Sequence, residues 1–237
     1  MSKQKGRWNK MKGIWHGHAV LEFITASKQK ILIDPFITGN PQTDLKVADC
    51  QPNYILLTHA HADHVGDTIK IAQQSHAVVI AIAELANYLQ QQGLETIGIN
   101  YGGSVVTEFG SFKMVPAWHT SALPQPNGNS LPLGAAAGFE LHLDHRVIYV
   151  AGDTCLFSDM KLINHGHGVD LACLPIGDHF TMGPQDALLA AEFVKAKQVL
   201  PTHFNTFPPI QQDVQAFLQQ LPADTGLNVQ IGETFKF

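Results

Sequence analysis

Short apolar runs of strand length, punctuated by turn residues, dominate the pattern of this chain. Val20–Ile24 and Lys30–Ile33 predict two strands of a hairpin, ended at Asp34-Pro35, where proline cannot donate to a ladder. Residues 37–53 read as loop, with Pro41 and Pro52 as breakers. Tyr54–Leu57 predicts a buried strand, Val65–Ser75 a helix, Ala77–Ala83 a strand, and Glu84–Gln92 a helix stopped by Gly93. Residues 94–118 hold short strands with turns at Gly102-Gly103 and Phe109-Gly110. The last of these, Ser111–Trp118, runs into His119. Residues 123–134 carry three prolines, two glycines and two asparagines and read as a long loop, of the kind that often serves function. Ala135–Leu143 and Arg146–Val150 predict a hairpin around Asp144-His145, Asp170–Ile176 a strand, and Pro184–Lys197 a helix with proline in its first turn. A strand at Gln198–Leu200, a helix over about 211–220 and a final strand near Val229 close the chain. With no repeat and no linker, one domain of mixed strands and helices is the simplest account.

A recurring event organises this pattern: a strand ends in a residue able to bind metal. It happens at Asp34, at His59 and His61, at His119, at Asp153 and at His203. The densest case is Thr58-His59-Ala60-His61-Ala62-Asp63-His64, placed where an apolar strand gives way to a helix. His59 and His61 alternate along an extended backbone and can share a target, while Asp63 and His64 follow the turn and can reach a second one. Imidazole and carboxylate donors together suit zinc, manganese, iron or nickel. One such ending is ordinary; five with the same syntax predict a shared centre at one edge of a sheet or sandwich.

Composition narrows the alternatives. The chain has 237 residues, 45% apolar and 15% charged, which is globular and rich in core. No apolar run reaches the ~18 residues of a membrane span. Lys3, Lys5, Arg7, Lys10 and Lys12 make residues 1–12 a basic, acid-free extension, expected to be flexible and lacking the apolar segment of a secretory signal. Of 15 basic residues, 10 therefore remain in the expected domain, residues 13–237, against 20 acidic ones. That balance argues against a broad nucleic-acid surface. Three cysteines, Cys50, Cys155 and Cys173, give neither a disulfide framework nor a C-x-x-C site and fit a reducing cytoplasm.

The order His59-x-His61-x-Asp63-His64, then His119, Asp153 and His203, resembles the metallo-β-lactamase fold superfamily of hydrolases. The resemblance spans the chain from about Met11. Gly17-His18-Ala19, Ala151-Gly152-Asp153-Thr154, Leu174–Asp178 and Thr202–Pro208 look like one branch of it, metal-dependent hydrolases similar to ascorbate-6-phosphate lactonases and, more distantly, to N-acyl-phosphatidylethanolamine phospholipase D. The resemblance implies an α/β fold, a four-layer αββα sandwich, and two divalent ions, with zinc expected first. It implies that His59, His61 and His119 hold one ion, that Asp63, His64 and His203 hold the other, and that Asp153 bridges them. Asp34 matches an aspartate that orients a ligand, and His18 and Asp178 are expected to line the pocket. Cys155, two residues from Asp153, reads as packing. His16, His76, His165 and His167 carry no motif support, and His142 and His145 read as exposed beside a hairpin turn.

The implied chemistry is hydrolysis of a small ester, lactone or phosphodiester by a water shared between two ions, whose charge brings its pKa from 15.7 toward ~7. Asp63 and Asp153 are the candidate catalytic carboxylates, and His179 the candidate proton donor to the leaving group. The expected partner is a small-molecule substrate; a homo-oligomer is allowed but not indicated. A nuclease on the same fold would need a basic channel that the charge balance does not supply. A metal-bearing sensor without turnover would be favoured by a missing ligand, and none is missing. Neither residues 123–134 nor 177–184 offer the clustered Arg and Lys of a strong phosphate clamp, which favours a weakly charged substrate.

Overall fold

Alternation along the strands decides which faces meet. In the computed structural model, which describes residues 11–237, the chain runs β1 (Lys12–Trp15), β2 (Leu21–Ile24), β3 (Lys30–Ile33), β4 (Tyr54–Leu56), α1 (Ala62–Val65), α2 (Thr68–Ser75), β5 (Val78–Ile82), α3 (Ala83–Gln91) and β6 (Thr96–Ile99). It continues β7 (Ser104–Thr107), β8 (Gly110–Pro116), β9 (Ala122–Pro124), β10 (Ser130–Pro132), β11 (Ala137–Leu143), β12 (Arg146–Val150), β13 (Val169–Pro175), α4 (Pro184–Phe193), β14 (Ala196–Thr202), α5 (Val214–Leu218) and β15 (Thr234–Phe235).

These strands build two large sheets, ordered β15-β1-β2-β3-β4-β5-β6 and β14-β13-β12-β11-β8-β7. In the first, Leu21, Ile33, Leu56 and Ile80 stand in register as one apolar row. In the second, Phe112, Leu141 and Ile148 do the same. Tyr54 of the first sheet lies 5.5 Å from Phe112 of the second, so aromatic rings join the two sheets. On the outer faces, α3 sets Leu85, Ala86 and Leu89 against β5 and β6, and α4 sets Ala187, Ala190 and Ala191 against β13 and β14. The result is the αββα sandwich. β4, β5 and β13 read as near-continuous apolar runs because a helix covers one face and the other sheet covers the second.

β3, β4, β5 and β6 run parallel to one another, as do β12, β13 and β14. In open parallel sheets the chemistry gathers beyond the carboxyl ends of the strands. Asp34 follows β3, His59 follows β4, His119 follows β8, Asp153 follows β12 and His203 follows β14. The five strand ends therefore come from both sheets.

Several local expectations need correction. β1 is a strand the apolar pattern misses, because Lys12-Gly13-Ile14-Trp15 is too short to show alternation. It begins at Lys12, and Met11 is already buried, so the domain starts before residue 13. Lys3, Lys5, Arg7 and Lys10 lie outside the described residues. The expected helix at 65–75 starts earlier and breaks at Gly66 into α1 and α2. The expected loop at 123–134 contains an antiparallel ribbon, with Leu123 opposite Leu131. The helix expected over 211–220 shrinks to α5, capped where Asp213 accepts from the Ala216 N–H at 3.0 Å. The last strand is Thr234–Phe235 rather than near Val229; it pairs with β1, a partner more than 200 residues upstream. His142 is not free at its hairpin: it donates to the buried carboxylate of Glu140 at 2.6 Å. No helix among the described residues is long and apolar enough to cross a membrane.

Candidate metal centre

The stretch after β4 turns sharply because each peptide group finds a nearby partner. His61, in extended conformation, caps α1, and its carbonyl accepts from the N–H groups of His64 at 3.0 Å and Val65 at 2.9 Å. This single turn carries Asp63 and His64 on the side of the incoming strand. Gly66 ends it at φ 44°, where a Cβ would lie 2.3 Å from the Pro35 carbonyl oxygen. Only glycine lets the loop after β3 pass this close. Gly152, at φ 65°, plays the same part before Asp153: a Cβ there would lie 2.6 Å from the Ala137 carbonyl oxygen.

Three groups of potential donors converge, each with its ligand atoms within 4.8 Å of one another: His59, His61 and His119; His18, Asp63, His64 and His203; and His59, His64 and Asp153. Nitrogen donors at 2.0–2.1 Å from a tetrahedral ion stand about 3.4 Å apart, so these groups have the right scale. The Asp153 Oδ2 lies 3.0 Å from His203 Nε2, 3.3 Å from His64 Nε2 and 3.7 Å from His119 Nε2. One carboxylate oxygen thus touches members of both expected sets. His59 Nε2 and His61 Nδ1 face each other at 2.9 Å. Asp153 Oδ1 and His64 Nε2 are buried without a hydrogen-bond partner. Close-set imidazole nitrogens and buried polar atoms without a partner suit the coordination of a cation. The residues fit a metal.

Around these donors lies a set of fixed orienting bonds. Asp34 is 1% exposed and sits at φ 47°, a conformation that aspartate tolerates better than most residues. It accepts from the Thr58 N–H at 2.8 Å, the Thr58 hydroxyl at 2.6 Å and His64 Nδ1–H at 2.8 Å. With Nδ1 protonated, His64 presents the Nε2 lone pair to the centre. Because the Thr58 hydroxyl is donated to Asp34, its oxygen accepts from His59 Nδ1–H at 3.0 Å, leaving His59 Nε2 free in the same way. His18 is fully buried; it donates Nε2–H to Asp63 Oδ2 at 3.2 Å, and its Nδ1 is hydrogen-bonded with the Thr206 hydroxyl at 2.9 Å, which also lies 3.0 Å from Gln42 Oε1. The sequence pointed to His18 only as a pocket residue and missed Thr58 and Thr206. Thr58 stands next to His59 and could have been found from its place in the motif; Thr206 is 188 residues from its partner.

Burial lowers the pKa of His59 well below its ordinary value and that of His18 to about 4, and it lowers His61 and His119 as well. Those rings are neutral, the form that binds metal. Burial would lower His64 too, but the carboxylates of Asp153 and Asp34 outweigh it and hold the group well above its ordinary value. Burial would raise Asp153; the charges of His203 and His64 pull it well below the usual carboxylate range instead. Asp63 is lowered likewise, burial being outweighed by the His18 hydrogen bond and the His64 charge. His64 and Asp153 thus face each other as a buried ion pair.

Asp178 and His179 stand apart from this cluster. Both are exposed on the turn after β13, with Asp178 at φ 71° and the His179 ring packed edge-on against Phe180, 4.5 Å away. His16 is buried and paired with Asp44 at 2.7 Å, away from the donor groups.

Comparison with known proteins decides the family. A family model described as "Beta-lactamase superfamily domain" matches residues 29–204. A "UPF0173 metal-dependent hydrolase" of Ligilactobacillus salivarius is 50% identical over 226 residues, covering 95% of this chain and all of the relative. The chain belongs to the UPF0173 metal-dependent hydrolases of the β-lactamase superfamily. Another member, YtkL of Bacillus subtilis, is 48% identical over 95% of this chain and 100% of its own length. Among solved structures, Igni18, a metallo hydrolase of Ignicoccus hospitalis, is 32% identical with a TM-score of 0.85, covering 96% of this chain and 99% of that one. The family's metal-dependent hydrolase activity and the metallo-β-lactamase fold agree with the site geometry. All seven expected ligands fall inside the matched segment; His18 and Thr206 fall outside it.

Proposed function

We propose that this chain is a dinuclear hydrolase of a small ester, lactone or phosphodiester. His59, His61 and His119 would hold one ion, Asp63, His64 and His203 the other, and Asp153 would join them. Zinc is the expected ion, and the same donors accept manganese, iron or nickel. The observation that carries this reading is the position of Asp153 Oδ2, within 4.0 Å of His203, His64 and His119 at once.

Two bound divalent ions supply charge that acidifies a water and polarises the scissile group. The chain's own residues do the rest. Asp34 and Thr58 hold His64 and His59 in the tautomers that leave Nε2 free. His18 engages Asp63 Oδ2, so Asp63 Oδ1 is left to take the proton of the attacking water. The Asp63 side chain is 31% exposed and open to substrate. His179, exposed on the turn after β13, is the candidate proton donor to the leaving group. No serine or cysteine nucleophile is required. Three unpaired thiols support placement in a reducing cytoplasm.

Asp153→Ala tests the reading. Hydrolysis across a panel of lactones, thioesters and phosphodiesters should vanish, and elemental analysis should find less metal per chain. Unchanged turnover in a metal-depleted preparation overturns it.

A further inference from the structure

Beside Asp63 lies a groove of about 550 Å³ lined by Phe36, Thr38, Ala62, Asp63, Gly66, Asp67 and Phe207. Its volume lies in the range of small-molecule sites. Phe36 and Phe207 face each other with ring centroids 6.2 Å apart. Both rings rest edge-on against the buried His18, at 5.6 and 5.5 Å, so the walls are built on the same residue that orients Asp63. Groove and donor cluster therefore share Asp63, and a molecule reacting there extends into the groove.

The lining decides what kind of group fits. Among the described residues, no lysine or arginine contributes to it. Lys70, whose Nζ is 4.0 Å from Asp67, is not part of the wall. The N–H groups of Ile37 at 3.3 Å and Thr38 at 2.6 Å and the Thr38 hydroxyl at 2.8 Å already engage both oxygens of the Asp67 carboxylate. An anionic group would meet two carboxylates and no partner. An uncharged apolar group gains contact with both rings and displaces water from them.

We propose that the Phe36–Phe207 groove is the specificity site for an uncharged, apolar portion of the substrate, an alkyl or aryl group next to the bond that is cleaved. This rests on the hydrolase reading of the adjoining cluster and narrows its substrate class to neutral esters or lactones bearing an apolar substituent.

The test uses the full-length, metal-loaded protein and two independent readouts. The first is binding of the neutral fluorophore N-phenyl-1-naphthylamine, with anionic anilinonaphthalene sulfonate and benzyltrimethylammonium as charged comparators. The second is kcat/KM for neutral ester series of increasing chain length, one lengthened on the acyl side and one on the alcohol side. The neutral dye should bind more tightly than either charged probe. Phe207→Gln and Phe36→Gln, which keep much of the bulk, should each weaken it about fivefold or more, with unchanged metal content and Tm. In the parent one of the two series should gain about two- to fourfold in kcat/KM per methylene; the gain should flatten in both variants. Phe207→Leu, apolar again, should restore most of the binding and guards against a folding defect. Neutral-dye affinity indifferent to both Gln variants overturns the proposal, as does tighter and equally Phe-dependent binding of either charged probe. If the parent cleaves none of the esters, the ester substrate class fails by itself, while the dye measurements still decide whether the groove is an apolar site.

Discussion

Asp34→Asn is the sharpest test of how the centre is held. The Thr58 backbone N–H donates to Asp34 Oδ1 at 2.8 Å and cannot change its role. Asparagine must therefore keep its carbonyl oxygen there and place its NH2 where Oδ2 stood, 2.8 Å from His64 Nδ1. Two N–H groups cannot face each other, so His64 Nδ1 becomes an acceptor and the proton moves to Nε2. That nitrogen points at Asp153 Oδ2, 3.3 Å away, and once protonated it cannot bind metal. Loss of an orienting partner of this kind costs about 10- to 100-fold in metal affinity, or about 1.4–2.7 kcal/mol. The charged hydrogen bonds from Thr58 and His64 are lost as well, which should lower stability by about 1–3 kcal/mol. Metal retained after dialysis against graded chelator reads the affinity, and nitrogen chemical shifts of His64 read the tautomer. Metal binding at His59, His61 and His119 should weaken as well, because the Thr58 hydroxyl, no longer accepted by Asp34 Oδ2, turns its proton toward His59 Nδ1. Parent affinity for both ions, with His64 still protonated at Nδ1, would refute the reasoning.

Other perturbations follow from the same geometry. Gly66→Ala forces a side chain onto φ 44° and against the Pro35 carbonyl, so it should destabilise by about 2–4 kcal/mol, seen as a fall in Tm of about 5–10 °C. Thr206→Val removes the partner of His18 Nδ1, frees the ring that holds Asp63, and should weaken metal binding at Asp63 about tenfold with a small change in Tm. In metal-free protein, His18 falls from 6.5 to about 4 on folding and His59 falls well below 6.5, so their stabilisation is full above pH 6.5 and is lost as pH drops toward 4. His64, raised on folding, is protonated in both states below 6.5 and does not offset this loss. Urea midpoints of the metal-free protein should therefore fall steadily between pH 6.5 and 4.5, His18 alone accounting for up to about 3 kcal/mol by pH 4; a flat profile would contradict the buried, neutral assignment. Chelation at neutral pH should lower Tm, and zinc should restore it.

The clustering of candidate donors was legible because these residues sit at strand ends. A strand fixes direction over a few residues, so His59, His61, Asp63 and His64 announce their grouping within one turn. The separate endings at His119, Asp153 and His203 share that syntax, and family resemblance supplied their order. Boundaries were less legible where long-range partners decide them. β15 exists because β1 offers an edge, and Leu123 and Leu131 pair across a proline-rich segment that read as a loop. The buried Glu140 was invisible because its partners, His142 and the Asn164 N–H, meet only in the folded sheet and its covering turn.

By itself the sequence determined the donor types, their order, and the alternation that makes two apolar-faced sheets. These depend on chemistry and period, which are written residue by residue. Tertiary structure alone decided that Asp34 sets the tautomer of His64, that His18 holds Asp63 and leans on Thr206, and that Phe36 and Phe207 wall a groove beside the centre. Each joins residues 30 to 188 positions apart across a few ångströms. No periodicity links such pairs; only the closing of two sheets, with glycines at Gly66 and Gly152 letting backbones pass, brings them within reach.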